Sequence, residues 1–347
     1  MSNANERQVY LTALCRTVPY TVVEAVLANP SEFAICSSIV VGTVLNADLV
    51  GFTALCERLA VSGPGGLGKL TKALNDLFTR LLDETIFPYN GYVMQFGGDS
   101  ITAIFTGEDH ALRAAAAALD AQKIMTGLPF DDVEEGGRPL LMRVGLAQGD
   151  IALPIVGDLM HRAVVCGGPT SHRAVALQQR ATPGTVLVDN FVSALLGKRA
   201  HVAKTEPDCG TLMELVVQPP RSPIVELVGR IEDRVEEKIA LLEPFVAPPL
   251  AARLRTTPMG WRIDGELRHV IVLFAEIGGL EGGISPEVAL DLSRSLLRAY
   301  RKYGGLAVNI SIVPGGQRLM VLFGLHMPQS NDAERALLAA LEATARV

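Results

Sequence analysis

A strand–helix–hairpin–helix order occurs twice in the 347-residue chain. The first copy begins with the apolar run SSIVVGTVLNADLVGF and continues through a leucine-periodic helix, the hairpin GYVMQFGGDSITAIF and the helix DHALRAAAAALDAQKIM. The same order returns about 220 residues later, in HVIVLFAEIGGL, PEVALDLSRSLLRAYRKYGG, LAVNISIVPGGQRLMVLFG and NDAERALLAALEATARV. A repeat of this length is typical of a duplicated domain and not of a solenoid.

This repeat sets the predicted domain organisation. Alternating strands and helices with a hairpin inside predict an α/β sandwich with a mixed sheet. We expect an N-terminal helical segment (1–37), a first domain (38–217) and a Pro-rich linker with one short helix (218–267). Residues 268–347, called the C-terminal segment below, then correspond to the first half of a second domain.

Composition narrows the class of protein. The chain carries a net charge of −6 and no Lys/Arg cluster, which argues against nucleic acid as a partner. A membrane span needs about 20 apolar residues, and the longest uncharged stretch near the start, Phe33–Ala47, is shorter. No membrane association is therefore expected. The cysteines are widely spaced, odd in number and without a CxxC, as expected of free thiols in the cytoplasm: Cys15, Cys36, Cys56, Cys166 and Cys209.

The stretch SGPGGLGKLT (62–71) matches most of a phosphate-binding P-loop. The motif requires Ser or Thr after the lysine, because that hydroxyl holds Mg²⁺, and here Leu70 follows Lys69. A P-loop also follows a strand directly, whereas GFTALCERLAVS does not have a strand pattern. The glycines are better interpreted as a flexible start of a helix whose leucines recur every three or four residues: Leu67, Leu70, Leu74, Leu77 and Leu81.

Two aspartates interrupt apolar β structure in the first domain. Asp48 lies near the end of the first strand, and Asp99 lies in the hairpin turn Gly97–Gly98–Asp99. A carboxylate in such a place needs a partner or a cation, and two carboxylates at adjacent strand ends could hold hard divalent cations. The alternative is that each aspartate only completes a turn, since Gly-Gly-Asp is common turn chemistry.

Five stretches in order carry a family resemblance. These are VLNADLVGFTALCERL, NGYVMQFGGDSITAIF, DHALRAAAAALDAQ, MRVGLAQGDI and VVCGGPTSHRAVALQQRATPGTVLVD. Together they resemble the class III nucleotidyl (adenylyl/guanylyl) cyclase domain. The tandem arrangement and the N-terminal RTVPYTVVEAVLANP resemble the start of soluble-adenylyl-cyclase-like proteins.

The resemblance implies a fold and a reaction. The fold would be an α+β sandwich, the ferredoxin-like cyclase fold, with the active site between two such domains. Asp48 and Asp99 would bind two Mg²⁺ (or Mn²⁺). ATP would be converted to cyclic AMP and pyrophosphate by attack of the ribose 3′-hydroxyl on the α-phosphate. The backbone that would contact the triphosphate comprises Leu49, Val50, Gly51, Phe52 and Thr53.

Several positions depart from the family pattern. The transition-state Asn and Arg of the family fall at His172 and Ala176. Glu276 and Gln317 stand where the second domain would carry its own two aspartates. The second-domain counterpart of His172 would lie near residue 400, so the resemblance implies a missing remainder of domain 2, or a second cyclase domain, as partner. The chain is then either a piece of a longer protein or lacks that chemistry.

The positions that select the base and that mediate bicarbonate activation in the family also carry different residues here. Adenine-selective members carry a Lys at the position that matches Asn309, and the first domain has Gln95 at the corresponding place. Bicarbonate-responsive members use a Lys at the position of Gln95 and an Arg near Val175, so bicarbonate activation is not expected. Three functions remain open, in this order: an adenylate cyclase, a catalytically inactive cyclase-like regulatory module of a larger protein, and a P-loop hydrolase that uses Lys69.

We predict that Lys69→Ala leaves the affinity for MgATP nearly unchanged, because Lys69 lies in an ordinary helix. Isothermal titration calorimetry of the wild type and the variant measures this directly. A tenfold loss of affinity, about 1.4 kcal/mol, would instead restore the P-loop hypothesis.

Overall fold

The computed structural model describes residues 3–33, 38–61, 64–126, 140–157, 161–221, 233–256, 268–278, 286–313, 316–325 and 327–345. The chain forms two compact units. One contains residues 40–151 and 169–225, and the other contains residues 1–39, 152–168 and 226–347. Among the described residues, no helix has both the length and the apolar character that a membrane crossing requires.

The strands are β1 (Ser38–Val50), β2 (Gly91–Phe96), β3 (Ser100–Thr106), β4 (Leu141–Leu153), β5 (Ile155–Gly157), β6 (Arg162–Val164), β7 (Val186–Asp189), β8 (Ala200–Glu206), β9 (Cys209–Leu215), β10 (Ile271–Gly278), β11 (Leu306–Val313) and β12 (Gly316–Phe323). The helices are α1 (Asn3–Thr17), α2 (Tyr20–Ala28), α3 (Phe52–Val61), α4 (Pro64–Leu81), α5 (His110–Thr126), α6 (Pro169–Arg180), α7 (Asn190–Leu196), α8 (Val235–Leu242), α9 (Pro248–Thr256), α10 (Pro286–Lys302) and α11 (Asp332–Thr344).

The larger sheet has seven strands in the order β2-β3-β1-β4-β7-β9-β8. It is mixed, as predicted, because β4 and β7 are parallel while β1 and β3 are antiparallel. Helix α5 is buried along the run Ala114–Ala118. These alanines leave room for α7 and β9, which pack against the same helix. The fold is therefore of the predicted α+β class.

Helix α3 directly precedes α4, which contains Lys69. A P-loop requires a strand before its glycine-rich turn, so this local structure does not fit one. Leu77 and Leu81 of α4 are buried in the core, as the leucine periodicity predicted.

The C-terminal segment contains a three-stranded sheet in the order β10-β12-β11. Strand β12 pairs antiparallel with both β10 and β11, as β3 pairs with β1 and β2. A β-bulge lies between Val93 and Gln95 in the first hairpin, and between Ala307 and Asn309 in the second. Connectivity, strand order and bulge position are thus the same in both parts of the chain.

A matching pair of glycines supports the same comparison. A Cβ atom on Gly91 would lie 2.6 Å from the ring of Phe105, and one on Gly305 would lie 2.6 Å from the ring of Phe323. In each hairpin, the phenylalanine of the second strand therefore packs directly on the backbone at the start of the first. This shared packing supports the hypothesis of an internal duplication.

Residues 233–256 differ from the predicted linker. The sequence predicted one short helix there, but the structure contains α8 and α9. Their apolar side chains form one cluster with α1 and α2, including Leu11, Leu242 and Ala251. Proline at the first position of a helix costs no hydrogen bond, so Pro248 begins α9 rather than preventing it.

We predict that Gly305→Ala lowers the free energy of unfolding by about 1–3 kcal/mol, because the added methyl group overpacks the Phe323 ring. Gly68→Ala is the matched control. Gly68 lies inside α4 with no atom within 4 Å of an added Cβ, so this change is expected to stabilise by about 0.5–1 kcal/mol. Urea unfolding of both variants tests the comparison, and equal stability of Gly305→Ala and the wild type would contradict it.

Candidate active site

The hairpin places Asp99 beside Asp48. Strand β1 pairs with β3 so that Asp48 lies opposite Ser100. The backbone N–H of Leu49 donates to the carbonyl oxygen of Asp99 over 3.3 Å. Gly98 makes the turn with a φ of +78°, a left-handed conformation that glycine adopts without strain. Asp99, in the turn just before β3, therefore lies beside Asp48 of β1.

The charge of Asp99 disfavours ionisation of Asp48. Burial raises the pKa of Asp48, and the nearby charge of Asp99 raises it further, against the opposing effects of Arg143 and Gln178. Burial also raises the pKa of Asp99. Two partly buried carboxylates that repel one another form a site that a divalent cation would stabilise. This donor chemistry fits Mg²⁺, which binds through one or two carboxylates together with substrate phosphates.

Arg143 is a member of this site that the sequence analysis missed. Its Nη2 donates to Oδ2 of Asp48 over 3.1 Å. Its Nε is buried and has no hydrogen-bond partner in the part of the chain that the structure describes. An arginine within the apolar strand LLMRVGL was the available sequence signal. The guanidinium therefore acts on the site through its charge and through its bond to Asp48.

Gln178 of α6 is a second residue missed from the sequence. Its Nε2 donates to the same Oδ2 atom of Asp48 over 3.3 Å. The contact joins residues 130 positions apart in the sequence, and no local pattern in PTSHRAVALQQR marks it. Asp48 is therefore held by side chains from both β4 and α6.

The predicted phosphate-binding backbone (49–53) spans the end of β1 and the start of α3. Gly51 has a φ of +90° and turns the chain into the helix. The first N–H groups of a helix have no partner within it and attract anions, which fits Phe52 and Thr53. Leu49 does not fit this role, because its N–H group already binds the carbonyl of Asp99.

Helix α6 lacks the two transition-state groups of the family. His172 is partly buried and Ala176 is exposed, so the second position offers no charge or hydrogen bond. Arg173 lies between them, but its Nη2 donates to the carbonyl of Gln148 over 2.6 Å. Its Nε lies 3.4 Å from the carboxylate of Asp189. These contacts hold Arg173 within its own domain.

The C-terminal segment carries a different charge arrangement. Glu276 lies opposite Arg318 in the β10–β12 register, as Asp48 lies opposite Ser100. Arg318 Nε donates to Glu276 Oε1 over 2.8 Å. The neighbouring Gln317 is uncharged. A guanidinium group therefore neutralises the only carboxylate at this pair of positions, and we infer no metal site there.

The two predicted base-selecting positions match each other structurally. Gln95 and Asn309 both follow the β-bulge of their hairpin, opposite Thr102 and Met320. Their correspondence therefore rests on the strand register as well as on the sequence.

Another acidic group lies away from this site. Ligand atoms of Glu206, Asp208 and Cys209 lie within 4.8 Å of one another. Arg180 Nη1 donates to Asp208 over 2.8 Å and the same guanidinium contacts Glu206. These carboxylates already have a cationic partner, so we interpret the group as an ion-pair cluster.

Comparison of this chain with known proteins identifies the family to which its first domain is similar. The adenylate and guanylate cyclase catalytic domain matches residues 38–209. Human adenylate cyclase type 10 is 22% identical over 182 residues, which are 52% of this chain and 11% of that protein. Guanylate cyclase soluble subunit alpha-1 of Canis lupus familiaris is 31% identical over 126 residues, 36% of this chain and 17% of that protein. The chain thus spans a small part of these curated relatives.

The solved structures that are similar to this chain include the adenylyl cyclase CyaB from P. aeruginosa. It is 19% identical, with a TM-score of 0.45, and the match covers 54% of this chain and 99% of that chain. The segment that matches the family runs from β1 to the start of β9. It includes Asp48, Asp99 and the hairpin turn between β2 and β3. Residues 38–209 therefore belong to the class III nucleotidyl cyclase family and form a domain of its adenylate and guanylate cyclase catalytic type.

Proposed function

We propose that this domain binds ATP with two Mg²⁺ (or Mn²⁺) ions and takes part in forming cyclic AMP and pyrophosphate. The observation that carries the proposal is the proximity of Asp48 and Asp99 to each other and to Arg143. Both are partly buried carboxylates with raised pKa values. A domain of this family without metal would have no chemical need for two repelling carboxylates, one at the end of β1 and one in the adjacent hairpin turn.

Each residue has a proposed role. Asp48 and Asp99 hold the metals, which when bound would activate the ribose 3′-hydroxyl and stabilise the leaving pyrophosphate. The start of α3 binds triphosphate oxygens through its free N–H groups. Arg143, whose Nη2 donates to Asp48, places a positive charge beside the two carboxylates. Phosphoryl transfer depends mainly on such positioning and charge neutralisation.

ATP is proposed over GTP as substrate. The match to human adenylate cyclase type 10 covers 52% of this chain, whereas the match to the guanylate cyclase alpha-1 subunit covers 36%. Gln95 and Asn309 are both neutral amides that can donate and accept hydrogen bonds. The assay of cyclic nucleotide formation therefore compares the two nucleotides directly.

A complementary cyclase-type partner is part of the proposal, and strand β10 supports it. Val272 and Phe274 of β10 are 45% and 61% exposed. Their counterparts Val44 and Asn46 in β1 are buried, and β1 has β4 as its second neighbour. An apolar strand edge of this kind normally has a partner.

Helix α11 supports the same partner. Leu337 and Leu338 are 68% and 42% exposed. In the matching stretch of α5, Ala115 and Ala116 are buried, and α7 and β9 pack on that helix. The remainder of a second cyclase-type domain, or another cyclase domain, would cover both surfaces and could supply the Asn and Arg that α6 lacks.

The compartment is proposed from the thiols. Within the described residues, Cys15 and Cys209 are buried thiols that form no disulfide. Unpaired buried thiols are typical of a reducing compartment, so we propose a cytoplasmic location.

A second candidate function is an inactive regulatory module. His172 and Ala176 replace the two transition-state groups, and the Glu276–Arg318 pair replaces the second acidic site. Such a module would bind nucleotide weakly or not at all and would act on other domains. The two predictions that follow distinguish this function from catalysis.

We predict Mg²⁺- or Mn²⁺-dependent formation of cyclic AMP from ATP by a longer polypeptide that contains a whole second domain. Asp48→Asn or Asp99→Asn should nearly abolish it, because Asn keeps the shape of the ligand and removes its charge. Asp83→Asn, at an exposed carboxylate, is the matched control. Chromatographic detection of cyclic AMP, with GTP as a competing substrate, measures the result.

The 347-residue chain alone should be nearly inactive, because α6 lacks the transition-state arginine of the family. Such an arginine contributes about 10³–10⁵ in rate. Robust activity of that chain would show that another group replaces it. If the longer polypeptide were inactive and bound no metal, the regulatory function would be favoured.

We predict that Asp99→Asn raises the melting temperature of the metal-free protein at neutral pH. A raised carboxyl pKa means that ionisation disfavours the folded state, so the penalty is present at neutral pH and absent below the ordinary Asp pKa of about 3.9. Each 1 kcal/mol of relief would raise the melting temperature by about 2–4 °C. Differential scanning calorimetry at neutral and acidic pH measures the change.

Asp83→Asn again serves as control, with no expected change. Mn²⁺ should raise the melting temperature of the wild type but not that of Asp99→Asn. A lower melting temperature for metal-free Asp99→Asn would argue against charge repulsion in this pair.

A further inference from the structure

Gln178 is a buried amide directed at a predicted metal ligand. Its side chain belongs to α6, the residue is only 5% exposed, and Nε2 lies 3.3 Å from Oδ2 of Asp48. Helix α6 reaches this place because β4 carries Gly145. A Cβ atom there would lie 2.4 Å from the backbone nitrogen of Gln178, so a larger residue would push the helix away from the site.

Both donors to Asp48 use the same oxygen. Arg143 Nη2 donates to Oδ2 over 3.1 Å, and Gln178 Nε2 donates to Oδ2 over 3.3 Å. Within the described residues, no group donates to Oδ1. The carboxylate is therefore fixed in one orientation by two bonds to one oxygen, and its other oxygen remains available to a cation.

The neutral amide suits this position. A second cation beside Arg143 would weaken the attraction of Asp48 for a metal, and a carboxylate would add a third negative charge near Asp99. An apolar side chain would leave Asp48 with a single donor. Among side chains of this length, glutamine can donate a hydrogen bond without changing the charge of the site.

We propose that Gln178 is a positioning residue that holds Asp48 in the orientation required for metal binding. The proposal rests on the function proposed above, in which Asp48 is a metal ligand. Residues that orient a metal ligand typically contribute 10–100-fold to metal affinity. Gln178 acts through Asp48 and does not itself contact the metal.

The test is Mn²⁺ binding by Gln178→Met and Gln178→Asn, measured by titration calorimetry and by electron paramagnetic resonance of the bound ion. Methionine keeps the length and loses the donor, while asparagine keeps the amide but is too short to reach. Both should bind Mn²⁺ about 10–100-fold more weakly and alter the spectrum of bound Mn²⁺. Gln179→Met, at the exposed neighbouring position, should bind like the wild type.

The outcomes separate this inference from the proposed function. If the wild type binds Mn²⁺ and both Gln178 variants bind it equally well with the same spectrum, the positioning role is overturned and the metal site stands. If the wild type binds no Mn²⁺, the proposed function itself fails, and the positioning role fails with it. If Gln178→Met does not fold, the affinity and spectrum of Gln178→Asn decide between these outcomes.

Discussion

The repulsion between the Asp48 and Asp99 carboxylates is the constraint around which the first domain is organised. Pairing of β1 with β3 places them at adjacent positions, and burial in the sheet raises the pKa of each. Arg143 offsets part of the repulsion, and Gln178 fixes the orientation of Asp48 without adding charge. Such an arrangement costs stability in the absence of a cation, which is the usual compromise between stability and function at an active site.

The two hairpins of the chain solve this electrostatic problem differently. Their strand order, bulge and Gly–Phe packing agree, so the backbone offers the same pair of positions in each. In the first hairpin, the pair is two carboxylates that fit a metal. In the second, Glu276 is neutralised by Arg318 from the facing strand. The Arg318 side chain thus takes the place of a cation in the second hairpin. This difference supports the proposal that the first domain binds metal and the C-terminal segment does not.

Much of the fold could be predicted because its signals are local. The apolar run of β1, the alternation in the β2–β3 hairpin and the leucine spacing of α4 are each contained in one segment. The site was only partly predictable. Asp48 and Asp99 interrupt apolar strands, but Arg143 and Gln178 reach Asp48 across 95 and 130 residues of sequence. The sequence predicted only one short helix where the structure contains α8 and α9, because the prolines suggested a linker. Proline is nevertheless compatible with the start of a helix.

The most direct measurement is a crystal structure with Mn²⁺ and a non-hydrolysable ATP analogue, in which anomalous scattering locates the metal. We predict two Mn²⁺ peaks about 3.5–4 Å apart, both in contact with Asp48 and Asp99, with triphosphate oxygens at the start of α3. A nucleotide bound without metal at these aspartates, or Mn²⁺ bound instead at Glu206, Asp208 and Cys209, would contradict it.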